Sequence, residues 1–259
     1  MSKIDRQWCS PPKSLKLSRN DVHVWRATLD RPAECVCQLA QSLSDDERLR
    51  AERFYFERDR SRFIVGRGLL RFILSRYLEI AANKLQFCYS SRGKPELIET
   101  SREYKLRFNV SHSQEIVLYA VTRDRSIGID VEYIRPLPEA EQIVKSFFSL
   151  YEKSVFERLP PDQKQLAFFN CWTRKEAFVK AIGDGLSLPL DRFDVSLIPG
   201  EPARLLGIKG DNRALDHLRH RTCSNWSLQD ITPIPGYVAA LAVEGQSWNL
   251  SYWEWQEEG

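Results

Sequence analysis

The stretch that decides the fold is residues 127–132, which read Ile-Gly-Ile-Asp-Val-Glu. The alternation is typical of a β-strand, in which successive side chains point to opposite faces, so Asp130 and Glu132 point to the same face. Two carboxylates this close repel each other, and a bound cation would neutralise both. A charged pair on a solvent-exposed edge strand explains this segment equally well on its own.

A second informative segment, residues 168–180, reads FFNCWTRKEAFVK. Its apolar residues recur at helical spacing, which places Glu176 and Lys180 one turn apart on a common face. An ordinary surface ion pair would look the same. In combination with the strand, Glu176 can supply a third oxygen ligand for a metal and Lys180 a contact to a phosphate.

Composition narrows the class of protein. The chain has 259 residues, 42% of them hydrophobic, and a formal net charge of +3. No stretch is apolar enough for a membrane span or a signal peptide, so we expect a cytoplasmic protein that does not bind membranes. The charge is too mild for a nucleic-acid-binding surface and suits an anionic small molecule or an acidic partner.

The cysteines do not predict a metal site. The six residues are scattered, and the closest pair, Cys35 and Cys37, has a single residue between them. That spacing is too tight for a zinc knuckle. We therefore expect free thiols in a reducing compartment.

The first half of the chain predicts helices followed by strands. An alternating run at residues 21–29 predicts an initial strand. A capping box at residues 44–47 then begins a helical, Arg-rich region. Residues 106–110 and 115–122 predict two strands joined by a turn at residues 111–114.

The second half repeats this pattern. After the strand at residues 126–132, residues 139–182 are helical, with a second capping box at residues 149–152. Short strands follow at residues 193–197, 203–208, 226–231 and 237–243. The repetition predicts an α+β fold with two similar lobes, residues 1–124 and 125–259.

The two informative segments resemble the paired signatures of the Sfp-type 4'-phosphopantetheinyl transferases, an I-G-I-D-x-E strand followed by a W-[ST]-x-K-E-[AS]-x-x-K helix. Both signatures are matched without a gap. The resemblance extends over roughly residues 44 to 200. Other matching segments are Gly93-Lys94-Pro95, Phe108-Asn109-Val110-Ser111-His112-Ser113, Phe147-Phe148-Ser149 and Gly183-Asp184-Gly185-Leu186-Ser187.

The resemblance implies a fold and a reaction. The fold would be a pseudo-twofold pair of lobes with coenzyme A in the cleft between them, usually as a monomer. Asp130, Glu132 and Glu176 would coordinate Mg²⁺, which favours hard oxygen ligands. A serine of an apo acyl or peptidyl carrier protein would attack the β-phosphate of coenzyme A, and 3',5'-ADP would leave. The nucleophile would then belong to the partner.

The resemblance also implies which side chains contact coenzyme A and which act in catalysis. The candidates for the general base are Glu176, Glu132 and Glu152, acting directly or through a metal-bound water; Glu176 is favoured, because the capping box gives Glu152 a structural alternative. Lys180 is the catalytic contact to the phosphates. The candidates for coenzyme A binding are Arg50, Arg92, Gly93, Lys94, Pro95, Asn109, Ser111, His112, Asp130, Glu176 and Lys180.

Two rival functions use the same residue types. Metal-dependent nucleases combine carboxylates with a lysine, but there the lysine typically follows the acid by two residues on a strand, whereas Lys180 follows Glu176 by four on a helix. A non-enzymatic module could bind coenzyme A or a carrier protein without turnover. The complete carboxylate set favours the enzyme.

Overall fold

The computed structural model describes residues 8–90, 93–98, 104–183, 188–208 and 223–256. The helices are Ala33–Ala40 (α1), Asp45–Glu52 (α2), Glu57–Leu78 (α3), Ala140–Phe147 (α4), Leu150–Arg158 (α5) and Pro161–Ile182 (α6). The strands are Asp21–Thr28 (β1), Phe87–Tyr89 (β2), Pro95–Leu97 (β3), Leu106–Ser113 (β4), Ile116–Arg123 (β5), Ile127–Tyr133 (β6), Phe193–Val195 (β7), Leu205–Ile208 (β8), Trp226–Ile231 (β9), Tyr237–Glu244 (β10) and Asn249–Glu254 (β11). This mixture of helices and several sheets confirms the predicted α+β class.

Two main sheets pack against each other. The first has the strand order β11-β1-β5-β4, and the second has the order β6-β10-β9. Val24 and Leu118 of the first sheet share a buried apolar cluster with Ile129 and Leu241 of the second. Their alternating apolar residues thus form a core between the sheets.

A long helix covers the other face of each sheet. In the first half, Ile73 of α3 shares a buried cluster with Tyr119 of β5. In the second half, Phe178 of α6 shares a different cluster with Ala240 of β10. The layers therefore run helix, sheet, sheet, helix. Within the described ranges, no helix has the length and apolar character needed to cross a membrane.

The two halves of the chain repeat one order of elements. β1 is followed by three helices, the hairpin β2–β3 and the antiparallel pair β4–β5. β6 is followed by three helices, the hairpin β7–β8 and the antiparallel pair β9–β10. The strand orders β1-β5-β4 and β6-β10-β9 correspond one to one. β11 is the exception, because it pairs in parallel with β1 and so joins the sheet of the first half.

A buried ion pair stabilises the first half. Glu47 completes the capping box of α2 by accepting a hydrogen bond from the Ser44 backbone N–H at 3.1 Å. The same Glu47 oxygen, Oε2, also accepts a hydrogen bond from Arg71 Nε on α3 at 2.6 Å. Arg71 also donates to the carbonyls of Ala82 and Leu85, at 2.9 and 3.0 Å. The pair fixes the start of α2 to α3 and to the short turn that follows it.

The second half contains the same arrangement. Glu152 completes the capping box of α5 by accepting from the Ser149 backbone N–H at 2.8 Å. Its Oε1 lies 2.8 Å from the Nζ of Lys175 on α6. Lys175 also donates to the carbonyls of Leu190 and Phe193, at 2.6 and 2.7 Å. Both members of each pair are almost completely inaccessible to solvent.

The structure corrects the predicted turn at residues 111–114. β4 continues to Ser113, and the turn consists of Gln114 and Glu115, with Gln114 at a positive φ of 51°. Ser111 and His112 therefore lie on a strand and face Leu118 and Val117 of β5. Sequence reasoning also missed the short strands β2 and β3 and the strand β11, whose alternation is weak.

Candidate active site

Gly128 allows α6 to lie directly against β6. A side-chain carbon at this position would collide with the carbonyl oxygen of Ala177 and the amide nitrogen of Ala181. It would also lie 2.9 Å from the carbonyl carbon of Lys180. Only glycine leaves room for such an approach. The contact brings the last turns of α6 against the part of β6 that carries Asp130.

Asp130 lies at the centre of this contact and is 5% exposed. Its Oδ1 accepts a hydrogen bond from Lys180 Nζ at 2.7 Å and from Ser111 Oγ at 2.9 Å. Its Oδ2 is buried and has no hydrogen-bond partner within the described part of the chain. Burial raises the pKa of Asp130, and the Lys180 ammonium opposes that shift.

Two further carboxylates belong to the same electrostatic cluster. Burial, followed by the charge of Asp130, raises the pKa of Glu132. Glu132 accepts a hydrogen bond from Ser113 Oγ at 3.1 Å and lies 3.8 Å from Arg135. Burial, followed by the charge of Asp130, also raises the pKa of Glu176. These three carboxylates disfavour one another's charged forms, so a cation near them would stabilise the charged forms.

The chemistry of this carboxylate cluster fits a divalent cation. The donors are hard carboxylate oxygens, and the buried Oδ2 of Asp130 makes no hydrogen bond within the described residues. Among the residues that the structure describes, no three His, Cys, Asp or Glu side chains are close enough together to hold a metal ion. The positive charge beside Asp130 in this structure is the ammonium of Lys180.

Side chains of β4 join the two sheets at the site. β4 and β6 lie side by side but belong to different sheets, so their backbones do not pair. Instead, every second side chain of β4 accepts a hydrogen bond from a backbone N–H of β6. This arrangement leaves the carboxylates of β6 beside β4. The pairs are Asn109 with Ile129 at 2.8 Å, Ser111 with Val131 at 3.4 Å and Ser113 with Tyr133 at 3.1 Å.

Two cavities lie along the β2–β3 hairpin, and one of them is lined by Lys180, which contacts Asp130. Gly93, at a φ of +78°, lines a cavity of about 290 Å³ together with Lys94, Asn109 and Lys180. Gly93 also lines a cavity of about 580 Å³ that contains Arg50. Lys94 Nζ donates to the carbonyl of Lys180 at 2.8 Å, which connects the hairpin to the end of α6. Basic and apolar groups therefore surround a groove that suits an extended anionic ligand.

Comparisons with known proteins show the family. Residues 24–124 match the family model described as 4'-phosphopantetheinyl transferase, N-terminal, and residues 126–242 match that of the 4'-phosphopantetheinyl transferase superfamily. The chain is 42% identical to the 4'-phosphopantetheinyl transferase HetI of Nostoc sp. over 252 residues, covering 97% of this chain and 100% of that protein. The chain belongs to this superfamily.

Other transferases are similar over shorter stretches. A putative 4'-phosphopantetheinyl transferase of Synechocystis sp. is 35% identical over 178 residues, which is 69% of this chain and 70% of that protein. The 4'-phosphopantetheinyl transferase Sfp of Bacillus subtilis is 35% identical over 155 residues, which is 60% of this chain and 66% of that protein. The resemblance to Sfp-type transferases is thus confirmed.

Six of the eleven residues predicted to contact coenzyme A line the two cavities of the groove. Besides the groove residues named above, Pro95 lines the smaller cavity, and Ser111 lies on the carboxylate cluster. His112 is exposed on β4. Protein atoms that cover part of its ring, and then the charge of Lys180, lower its pKa. Arg92 and residues 184–187 of the predicted set lie outside the described residues.

Glu152 does not lie in the groove. It is completely buried in the second half of the chain, and both of its carboxylate oxygens are occupied. Oε2 accepts from the Ser149 N–H, while Oε1 accepts from the Val195 N–H at 2.8 Å and contacts Lys175. These contacts argue against the predicted catalytic role of Glu152, because the side chain can reach a substrate only if the surrounding structure opens.

Sequence reasoning missed two residues that shape the site of this transferase. Gly128 was quoted only as part of the strand motif, and its close contact with α6 depends on how the helix packs. Ser113 was placed in a turn and received no role. The signal that identifies Ser113 is its two-residue spacing from Ser111, which on a strand puts both hydroxyls on one face.

Proposed function

We propose that this chain transfers the 4'-phosphopantetheine group of coenzyme A to a serine of an apo acyl or peptidyl carrier protein. The products are the holo carrier protein and 3',5'-ADP. The observation that carries the proposal is the contact of β6 with α6 at Gly128, which places Asp130 and Lys180 beside the groove. Family membership and the names of the relatives support the same reaction.

Coenzyme A would lie along the groove between two lobes, residues 1–124 and 125–259, related by a pseudo-twofold axis. The repeated strand order and the two matching buried ion pairs support this relation. The cations along the groove, Arg50, Lys94 and Lys180, suit the phosphates of the ligand. Gly93 and Pro95 would let the backbone of the β2–β3 hairpin lie close to coenzyme A in a rigid conformation.

Asp130, Glu132 and Glu176 would hold Mg²⁺ in this proposal. When bound, the ion would neutralise the charge of the coenzyme A diphosphate and of the transition state. The buried Oδ2 of Asp130 and the raised pKa values of the three carboxylates support this role.

The chain's own residues would bind the diphosphate and move one proton. The serine oxygen of the carrier attacks the β-phosphorus, and the bond from that phosphorus to the bridging oxygen breaks, so the electron pair leaves with 3',5'-ADP. Lys180 would stabilise the charge on the phosphates. Glu176 would accept the serine proton, because it belongs to the carboxylate cluster with Asp130 and Lys180, whereas Glu152 is completely buried elsewhere.

The proposal also includes the cell compartment and the oligomeric state. We expect the enzyme to act in the cytoplasm as a monomer, with no nucleic acid or membrane as partner. Its two lobes would then build the complete coenzyme A site within one chain. The nuclease alternative is set aside because the chain belongs to a transferase superfamily.

Incubation of the chain with Mg²⁺, coenzyme A and apo carrier proteins tests the proposal. Mass spectrometry should show that the carrier gains the mass of one phosphopantetheine group, and chromatography should show an equal amount of 3',5'-ADP. The matched control is a carrier with its acceptor serine replaced by alanine. Binding of coenzyme A without any mass gain on fatty-acid, polyketide and nonribosomal-peptide carriers would favour the non-enzymatic alternative.

A further inference from the structure

Ser113 makes two hydrogen bonds that connect β4 to the candidate metal ligand Glu132. Its hydroxyl donates to Glu132 Oε2 at 3.1 Å and accepts from the Tyr133 backbone N–H at 3.1 Å. A serine hydroxyl has one hydrogen to donate. Because the Tyr133 N–H can only donate, the hydroxyl hydrogen goes to the Glu132 carboxylate, which can only accept when it is ionised.

Ser111 repeats this geometry two residues earlier. Its hydroxyl donates to Asp130 Oδ1 at 2.9 Å and accepts from the Val131 N–H at 3.4 Å. In each case a β4 serine bonds to the carboxylate of one β6 residue and to the N–H of the next. The period of two residues on both strands produces the repetition.

Glu132 depends on Ser113 more than Asp130 depends on Ser111. Asp130 is buried and also bound by Lys180, so its short side chain has little freedom. Glu132 is longer and partly exposed, and its charged neighbour Arg135 is 3.8 Å away and itself 45% exposed. An exposed ion pair of this length gives little orientation.

We propose that Ser113 is a positioning residue for the transfer reaction. It restrains the Glu132 carboxylate beside β4, on the same side of β6 as Asp130, so that Glu132 would lose less conformational freedom when Mg²⁺ binds. Hydrogen bonds of this kind to metal-binding carboxylates commonly determine metal affinity. The inference rests on the proposed function, because Mg²⁺ binding by these carboxylates is part of that proposal.

The position of Ser113 makes this role separable from stability. Ser113 is only partly buried, and its bond to the Tyr133 N–H is exposed, so water can replace the hydroxyl as acceptor. Ser113→Ala should therefore fold normally. Asn109 and Ser111 are buried, and their loss would leave unpaired groups in the interior.

The experiment measures Mg²⁺ binding by calorimetry, in the full chain with and without coenzyme A. Ser113→Ala should weaken Mg²⁺ binding by about tenfold, while Ser113→Thr, which keeps the hydroxyl, should restore it. The Mg²⁺ concentration for half-maximal transfer should shift in parallel. Circular dichroism melting should show that all variants are folded.

Arg135→Gln is the matched control, because it removes the other neighbour of Glu132. Loss of a competing cation should leave Mg²⁺ affinity unchanged or higher, the opposite direction from Ser113→Ala. The proposal is overturned if Ser113→Ala binds Mg²⁺ as the wild type does, if both variants weaken binding equally, or if the wild type binds no Mg²⁺. If the wild type binds Mg²⁺ but modifies no carrier, the proposed function fails while the binding comparison still decides the role of Ser113.

Discussion

Glu152 occupies the same place in the second half of the chain that Glu47 occupies in the first. Each completes a capping box and bonds to a buried cation at the fifteenth position of a 22-residue helix, Arg71 in α3 and Lys175 in α6. Each cation also binds two carbonyls of the turn that follows its helix. The carboxylate cluster lies on β6 and α6 of the second half alone, whereas this ion-pair arrangement occurs in both halves, as expected of a contact that stabilises the fold.

Glu152→Gln should therefore lower stability and leave the chemistry of the folded enzyme intact. Removal of one charge from a buried ion pair costs about 3 kcal/mol or more, because the partner is left unpaired. Urea unfolding should show this loss, and transfer at low temperature should retain a kcat close to that of the wild type. Glu47→Gln is the matched control and should behave alike. A normally stable Glu152→Gln with greatly reduced kcat would assign Glu152 to catalysis after all.

Asp130→Asn should reduce transfer by at least about 100-fold, because the neutral amide has a similar shape but lacks the charge that binds the cation. Glu176→Gln should have an effect of similar size. Carrier modification followed by mass spectrometry measures the rate. Near-normal transfer by either folded variant would refute its role in the carboxylate cluster.

Lys94→Ala should raise the KM for coenzyme A by about tenfold and change kcat little, since a lost phosphate contact weakens ground-state binding. Steady-state kinetics with coenzyme A as the varied substrate provide the test. Lys84→Ala, at an exposed lysine, should leave both constants unchanged. A loss confined to kcat would instead point to the bond from Lys94 to the Lys180 carbonyl, through which the hairpin orients α6.

Gly128→Ala should destabilise the chain by about 2 kcal/mol or more, because the added methyl collides with backbone atoms of α6 that cannot rotate away. Gly66→Ala in α3 is a contrasting control. Its methyl would lie 3.4 Å from a Leu29 side-chain carbon, an ordinary contact, and alanine favours the helix by about 1 kcal/mol. Denaturant unfolding of both variants should show shifts of opposite sign. Equal stability of Gly128→Ala and the wild type would contradict the close packing of β6 and α6.

Stability should fall as the pH decreases from 7 to 5, in part because of His23. Tyr77 OH accepts from Trp25 Nε1 at 2.8 Å and lies 2.8 Å from His23 Nδ1, so the tyrosine donates to a neutral imidazole. Burial lowers the pKa of His23 to about 4. The ordinary pKa of histidine is about 6.5, so between about pH 6.5 and about pH 4 the imidazole of His23 is protonated in the unfolded chain and neutral in the folded one. This difference lowers the free energy of unfolding by about 2 kcal/mol at pH 5.

Urea unfolding at both pH values measures this effect. His23→Gln should show a smaller loss of stability on acidification, because the amide does not titrate. An equal loss in the variant and the wild type would exclude His23 as the cause.

The sequence by itself determined the local elements and the identity of the reactive groups. Strand alternation placed Asp130 and Glu132 on one face, helical spacing placed Glu176 beside Lys180, and two capping boxes marked the starts of α2 and α5. These features depend on residues close together in the chain, where backbone geometry fixes the direction of each side chain. The ordered motifs were also specific enough to indicate the family that the comparisons show.

Only the tertiary structure decided how these pieces meet. The contact at Gly128, the bonds from Ser111 and Ser113 to β6, and the return of β11 to the first sheet join residues that are distant in sequence. Such contacts depend on the packing of whole elements, which no local pattern specifies. For the same reason the turn predicted at residues 111–114 was wrong: pairing with β5 extends β4 through Ser113 despite its polar sequence. That extension places a second serine beside the carboxylates.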